Sequence, residues 1–292
     1  MVEAALLEGI HALDISPPAE RLLDSRGLRL RWLDWGGGGV NLVFLHGGAL
    51  TANSWELVCL ALRDRFRCVA LDARGHGWSE YSDELAYRLE DHVFDVEALL
   101  GEIGEAPSIV IGHSMGAFVG IALAARNQLA GLILVDAAPG VDLEVARAHL
   151  EPLRLLDQRA PVEELLERGG LADPSRDRRL IERALLHNVV AQPDGTWMWR
   201  HDRRFDWYRE FSSRLEYLDS LTPSITCPVL VVRPTRSRAL SPAAVARLVA
   251  RLARGRSVEI EGSGHNVQSD QPLRLAAAIE DFVRLEIQAS SE

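Results

Sequence analysis

The residues with the most chemical potential lie in one short run, Ser108-Ile-Val-Ile-Gly-His-Ser-Met-Gly-Ala-Phe-Val-Gly120. Within it, Gly112-His113-Ser114-Met115-Gly116 has the spacing Gly-x-Ser-x-Gly, with an apolar strand-like stretch before it and a helix-like stretch after it. A serine on so sharp a strand-to-helix bend is pushed out at the carboxyl end of the strand, with the helix N-terminus pointing at it. The glycines are needed because neighbouring side chains would clash in a strained turn. This is the arrangement of an exposed hydroxyl nucleophile; the plainer alternative is an ordinary glycine-rich strand–helix turn. A hydroxyl attacks only when a base takes its proton. His265 sits in Gly262-Ser-Gly-His-Asn266, after another apolar run, where small residues let a loop bring an imidazole over the serine.

Other chemistries are excluded early. All 32 basic residues are arginine, which removes Schiff-base chemistry, pyridoxal phosphate attachment and a Walker-type phosphate loop. Cys59, Cys68 and Cys227 lack paired spacing and are expected to be buried, reduced thiols. No histidine cluster has ligand spacing, so neither a metal nor a cofactor is expected. The net charge of −10 disfavours nucleic acid and anionic membranes as partners. No run of about 18 apolar residues spans a membrane. Met1 to Asp14, with Glu3 and Glu8, does not resemble a signal peptide, so a cytoplasmic protein is expected.

The elements that must position Ser114 and His265 follow an alternating pattern. Short β-branched runs at Leu28–Trp35, Val40–Leu45, Cys68–Leu71, Ser108–Ile111, Leu132–Val135, Val229–Val232 and Ser257–Ile260 alternate with helical stretches. The runs are continuous rather than alternating, as in strands covered on both faces. Gly36–Gly39 suits an antiparallel hairpin joining the first two runs. Helices are predicted at Trp55–Leu62, Leu89–Ile103, Ala117–Arg126, Pro242–Leu252 and Gln271–Leu285. Between Pro139 and Thr222 the rhythm breaks into short charged helices at Leu143–Leu156, Pro161–Arg168 and Arg178–Leu186, with no clear strand. The fold expected is α/β, a mostly parallel sheet of the eight-stranded type flanked by helices. Residues 1–138 and 223–292 would form the core and residues 139–222 a helical cap inserted after the sixth strand.

With these segments in view, the chain resembles the α/β-hydrolase superfamily from about Arg29 to Val283. Phe44-Leu-His-Gly-Gly48 is similar to the family's oxyanion loop. Asp72-Ala-Arg-Gly-His-Gly-Trp-Ser79 is similar to its D-x-R-G-H-G-x-S turn. Leu134-Val-Asp136 ends the sixth strand, and Gly262-Ser-Gly-His265 follows the eighth. The resemblance implies a Ser114–His265 pair and an oxyanion hole from the backbone N–H groups of Gly48 and Met115, with Ala49 as the fallback. It also implies that His46, Arg74 and His76 pack and brace loops.

The third catalytic member departs from the family pattern. The resemblance places an acid after the seventh strand, where this chain reads Arg233-Pro-Thr-Arg-Ser-Arg-Ala-Leu-Ser241, with Arg238 at the acid's position. A guanidinium cannot accept the imidazole proton. Asp136 is the best substitute, since a carboxylate there can reach Nδ1 of His265; otherwise the pair is a dyad. Arg238 is then a substrate-carboxylate contact or a solvated side chain. The aromatics from Trp197 to Tyr208, Trp199 and Trp207 among them, either line an apolar acyl pocket or form the cap's own packing.

The function expected is a serine hydrolase of small to medium apolar carboxylic esters or lactones, working through an acyl-serine. A C–C bond hydrolase using the same residues is the alternative. The further alternative is a catalytically impaired ligand-binding protein of the same fold. A serine at position 114 disfavours aspartate-nucleophile chemistry. The partner expected is a small-molecule ester or acyl substrate, with the oligomeric state open.

Overall fold

The computed structural model describes residues 1–139, 158–172 and 177–286. Its strands are β1 (Ala19–Ser25), β2 (Leu28–Asp34), β3 (Asn41–Leu45), β4 (Arg67–Leu71), β5 (Ser108–His113), β6 (Gly131–Val135), β7 (Val189–Ala191), β8 (Trp197–Trp199), β9 (Val229–Pro234) and β10 (Gly255–Ile260). Eight of them form one sheet in the order β1-β2-β4-β3-β5-β6-β9-β10. β1 and β2 run antiparallel, as do β2 and β4, and every pair from β4 to β10 is parallel.

The helices are α1 (Val2–Leu7), α2 (Glu56–Leu62), α3 (Leu89–Ile103), α4 (Met115–Ala124), α5 (Val162–Ala172), α6 (Arg178–Asn188), α7 (Trp207–Ser213), α8 (Leu215–Leu221), α9 (Pro242–Arg251), α10 (Val267–Asp270) and α11 (Pro272–Glu286). Successive strand residues point to opposite faces, and both faces are covered. Val110, Leu132 and Leu134 join α3, α4 and α9 in one apolar cluster, while Ile109, Ile111 and Ile133 join α2 and α11 in another. Each such fully buried side chain contributes roughly 1.5–3 kcal/mol, which is why the central strands read as unbroken apolar runs. The three cysteines are free and buried.

Two expectations need correction. β2 and β3 do not form a hairpin across Gly36–Gly39, because β4 lies between them. Trp35 N–H donates to Cys68 O at 2.9 Å and Cys68 N–H to Gly36 O at 3.0 Å, so the glycine turn is held on β4. The hairpin is instead β1–β2, turning at Arg26 and Gly27, both with positive φ, the backbone of a tight hairpin turn. The second correction concerns the stretch expected to lack strands, where β7 and β8 pair antiparallel. The predicted helix Leu143–Leu156 lies outside the described residues. Those at Pro161–Arg168 and Arg178–Leu186 coincide with α5 and α6.

The described part of this stretch has a small core of its own and is tied to loops and a helix beside the sheet. Ala160, Leu165, Leu166, Leu185 and Val189 form a small cluster of their own. Phe211, Leu215 and Leu218 already belong to the main core. Gly77 N–H donates to Arg200 O at 2.8 Å, and Asp202 N–H to Gly75 O at 2.7 Å. Tyr87 Oη adds a 2.5 Å bond to Asp202. Glu56 at the start of α2 binds Arg183 of α6.

Candidate active site

Ser114 and Asp136 are consecutive strand-end residues on neighbouring strands. The β5–β6 register pairs His113 with Val135, and Ser114 N–H extends the ladder to Val135 O at 3.1 Å. Ser114 itself has φ 51° and ψ −114°, a conformation that costs a non-glycine residue on the order of 1–3 kcal/mol. The turn is possible because its flanking residues carry no side chain. A Cβ at Gly112 would stand 2.3 Å from Gly116 O, and one at Gly116 would stand 2.4 Å from Leu45 O. Asp136 also has positive φ, 49°, and its N–H is held by Val232 O at 3.0 Å.

His265 reaches Asp136 from the loop after β10. Its Nδ1 lies 2.7 Å from Asp136 Oδ2, and the Asp136 side chain is fully buried. An ionised carboxylate only accepts, so the Nδ1–H donates to it and Nε2 is left as the basic nitrogen. Asp136 is thus where the sequence placed it, within bonding distance of the histidine.

The loop that carries His265 is fixed by a residue that sequence reasoning passed over. His113 Nε2–H donates to His265 O at 2.9 Å, and Gln268 Nε2 donates to His113 Nδ1 at 3.4 Å. The two imidazole rings stand 4.6 Å apart. Burial, followed by the nearness of His265, pushes the His113 pKa well below the ordinary histidine value, so it anchors the loop without adding a positive charge. Its position beside Ser114 in the motif was the available signal.

Opposite lies the loop after β3. Gly48 is half-buried there, between Gly47 and Ala49, the latter with φ 61°. The close approach belongs to Gly47, where a Cβ would come within 2.7 Å of His113 Nδ1. Met115 is the first residue of α4, where N–H groups have no acceptor within the helix. His46 has both nitrogens engaged: Nδ1–H donates to Gly47 O at 2.7 Å and Nε2 accepts from Ala73 N–H at 3.0 Å. Burial lowers its pKa, and it links two loops rather than serving as a base.

The turn at Asp72–Ser79 braces the same end. Asp72 accepts from Ala52 N–H at 2.7 Å and Trp78 N–H at 3.0 Å. Arg74 is buried and grips Asp95 through two bonds of 2.7 and 2.6 Å. His76 is buried, and burial followed by His46 and His201 drives its pKa well down. Beneath Met115 and Gly116 a cavity is lined by Leu45, His46, His92 and Asp95.

Arg238 is exposed. Trp199 is half-buried against the apolar cluster of the inserted segment. The side chain of Trp207 lies outside the described residues. Sequence reading also missed Ser237, whose buried hydroxyl donates to Asp136 Oδ2 at 2.5 Å; nothing in a lone serine signals this without the pairing of β6 with β9.

Comparison with known proteins agrees with this fold. The profile of the Alpha/beta hydrolase family matches residues 42–278. Esterase Rv0045c of Mycobacterium tuberculosis is 28% identical over 281 residues, covering 93% of this chain and 92% of that protein. Lipase LipV of the same organism is 29% identical over 255 residues, covering 83% and 92%. Among solved structures, that of esterase Rv0045c superposes with a TM-score of 0.77 at 27% identity, covering 97% of this chain and 95% of the other. An E-2-(acetamidomethylene)succinate hydrolase shares the fold with a TM-score of 0.81 at 23% identity, covering 91% and 99%.

Proposed function

This chain belongs to the alpha/beta hydrolase family and is a hydrolase, and we propose that it cleaves small to medium apolar carboxylic esters or lactones through an acyl-serine. The observation that carries the reading is the 2.7 Å contact of His265 Nδ1 with Asp136 Oδ2, beside a serine on a strained, glycine-flanked bend. The naming of similar proteins as an esterase and a lipase supports an ester as the substrate.

In this mechanism His265 Nε2 takes the Ser114 proton as Oγ bonds to the ester carbonyl carbon. Asp136 stabilises the imidazolium that results. The carbonyl oxygen becomes an oxyanion held by the N–H groups of Met115 and Gly48; losing one such donor typically costs about 10²–10³ in turnover. The carbon–oxygen bond to the leaving group breaks, and the departing alkoxide collects the proton from Nε2. Water, deprotonated by the same nitrogen, then releases the acid and restores Ser114. The inserted segment, residues 139–222, is the cap that shapes the acyl site in this reading. A ligand-binding protein is less well supported, because a carboxylate from β6 contacts the histidine although Arg238 stands where the resemblance puts the acid.

The test is labelling with a fluorophosphonate followed by intact mass analysis. One adduct per chain on Ser114 is expected, absent in Ser114→Ala together with turnover of p-nitrophenyl esters. Labelling that persists in Ser114→Ala would refute the assignment.

A further inference from the structure

The segment after β9 departs from the family pattern at Arg238, yet its neighbour is turned into the site. Ser237 is buried, and its Oγ lies 2.5 Å from Asp136 Oδ2, the same oxygen that meets His265 Nδ1. Ala239 N–H donates to Ser237 Oγ at 3.1 Å. That bond occupies a lone pair of the hydroxyl and leaves its single proton for the carboxylate. The other carboxylate oxygen, Oδ1, is buried with no partner among the described residues. Among the described residues, Ser237 and His265 are therefore the two side chains that hold Asp136.

The loops bearing those two side chains are stitched together. Thr235 N–H donates to Ile260 O at 3.1 Å, Arg236 N–H to Ser263 O at 2.9 Å, and Gly262 N–H to Thr235 Oγ1 at 3.0 Å. The β9 loop is thus bonded to the β10 loop, and both converge on one oxygen of Asp136. We infer that Ser237 is a positioning residue of the catalytic site, acting through Asp136 to set the orientation and basicity of His265. The inference rests on the reading of Asp136 as the triad acid.

The chemistry has a sign. A hydroxyl donating to a carboxylate stabilises the ionised form and draws charge toward itself. Without it, the carboxylate faces His265 alone, the imidazolium is better stabilised, and the imidazole keeps its proton to higher pH. Loss of the hydroxyl therefore moves the acid limb of the pH–rate profile upward, while a role in packing alone would leave that limb in place.

The experiment compares Ser237→Ala and Ser237→Thr with the unaltered chain on a p-nitrophenyl ester across the acid limb, with thermal melts to verify folding. Ser237→Ala is expected to lower kcat roughly three- to tenfold at little cost in KM, and to shift the limb up by about half a pH unit. Ser237→Thr, which keeps the hydroxyl, restores the limb. A folded Ser237→Ala with the original limb and kcat overturns the inference. Asp136→Asn, measured alongside, separates the two failures. If it loses turnover while Ser237→Ala is unchanged, only the role of Ser237 falls; if it keeps turnover, the acid assignment falls and takes the role of Ser237 with it.

Discussion

The carboxyl ends of β6 and β9 are neighbours in the sheet, with Val135 paired to Val232, and the loops that follow them meet at the carboxylate of Asp136, which also contacts His265. The β6 end carries a carboxylate on a residue with positive φ, within bonding distance of Nδ1. The β9 end carries an exposed arginine where the family pattern puts the acid, and beside it a buried serine that donates to that carboxylate. An imidazole needs an acceptor at one point in space, and either strand end can supply it. What matters is the distance to Nδ1, and the strand left without the acid can become a donor to it.

Exchanging the two ends should have the largest effect. Asp136→Asn is expected to impair turnover, and Ser237→Asp added to it would set a carboxylate near the position of Asp136 Oδ2. The double variant should then recover roughly tenfold or more over Asp136→Asn in ester kcat, given the size of the acid's contribution. Arg238→Asp in the same background should recover nothing, because position 238 faces solvent. The reverse ranking would mean that the β9 loop is arranged differently around the base.

A second prediction contrasts the imidazole of the site with one packed beneath it. His92 is buried, and desolvation followed by Arg74 holds its pKa at about 3, below the 6.5 of an unfolded chain. The folded state then refuses a proton that the unfolded state accepts. Stability from this group is complete above pH 6.5 and is lost as pH falls toward about 3, at about 1.4 kcal/mol per pH unit. Urea unfolding of His92→Gln between those limits should show a slope shallower by about that amount. An unchanged slope would show that His92 does not titrate on unfolding. The smallest effect is expected for Arg238→Asp alone, which should leave ester kcat/KM within about twofold. A large gain would mean that the chain lacked a working acid.

The parts of the site governed by local sterics were legible in the sequence. The bend at Ser114 announces itself because Gly112 and Gly116 are the only residue type its backbone tolerates. His265 was legible from its small-residue loop, and Asp136 from ending an apolar strand. Ser237 was not, since its role depends on which strands are neighbours and on the cross-loop bonds from Thr235 and Arg236. The same holds for the fold. β3 to β6 were plain as apolar runs, whereas β1, a largely exposed edge strand, was missed and the partner of β2 misassigned. β7 and β8, at three residues each, are too short for a periodic signal, although Pro193-Asp-Gly195 between them marked a turn.

The most direct test of the account is the rate of Ser114 acylation by an activated ester in Asp136→Asn, with the fold verified by its melting transition. Removing the acid from a serine triad costs on the order of 10⁴ in turnover. A fall of roughly 10³ or more in acylation rate, with ester binding retained, is the predicted result. A rate within about twofold of the unaltered chain would contradict the proposed Ser114–His265–Asp136 assembly.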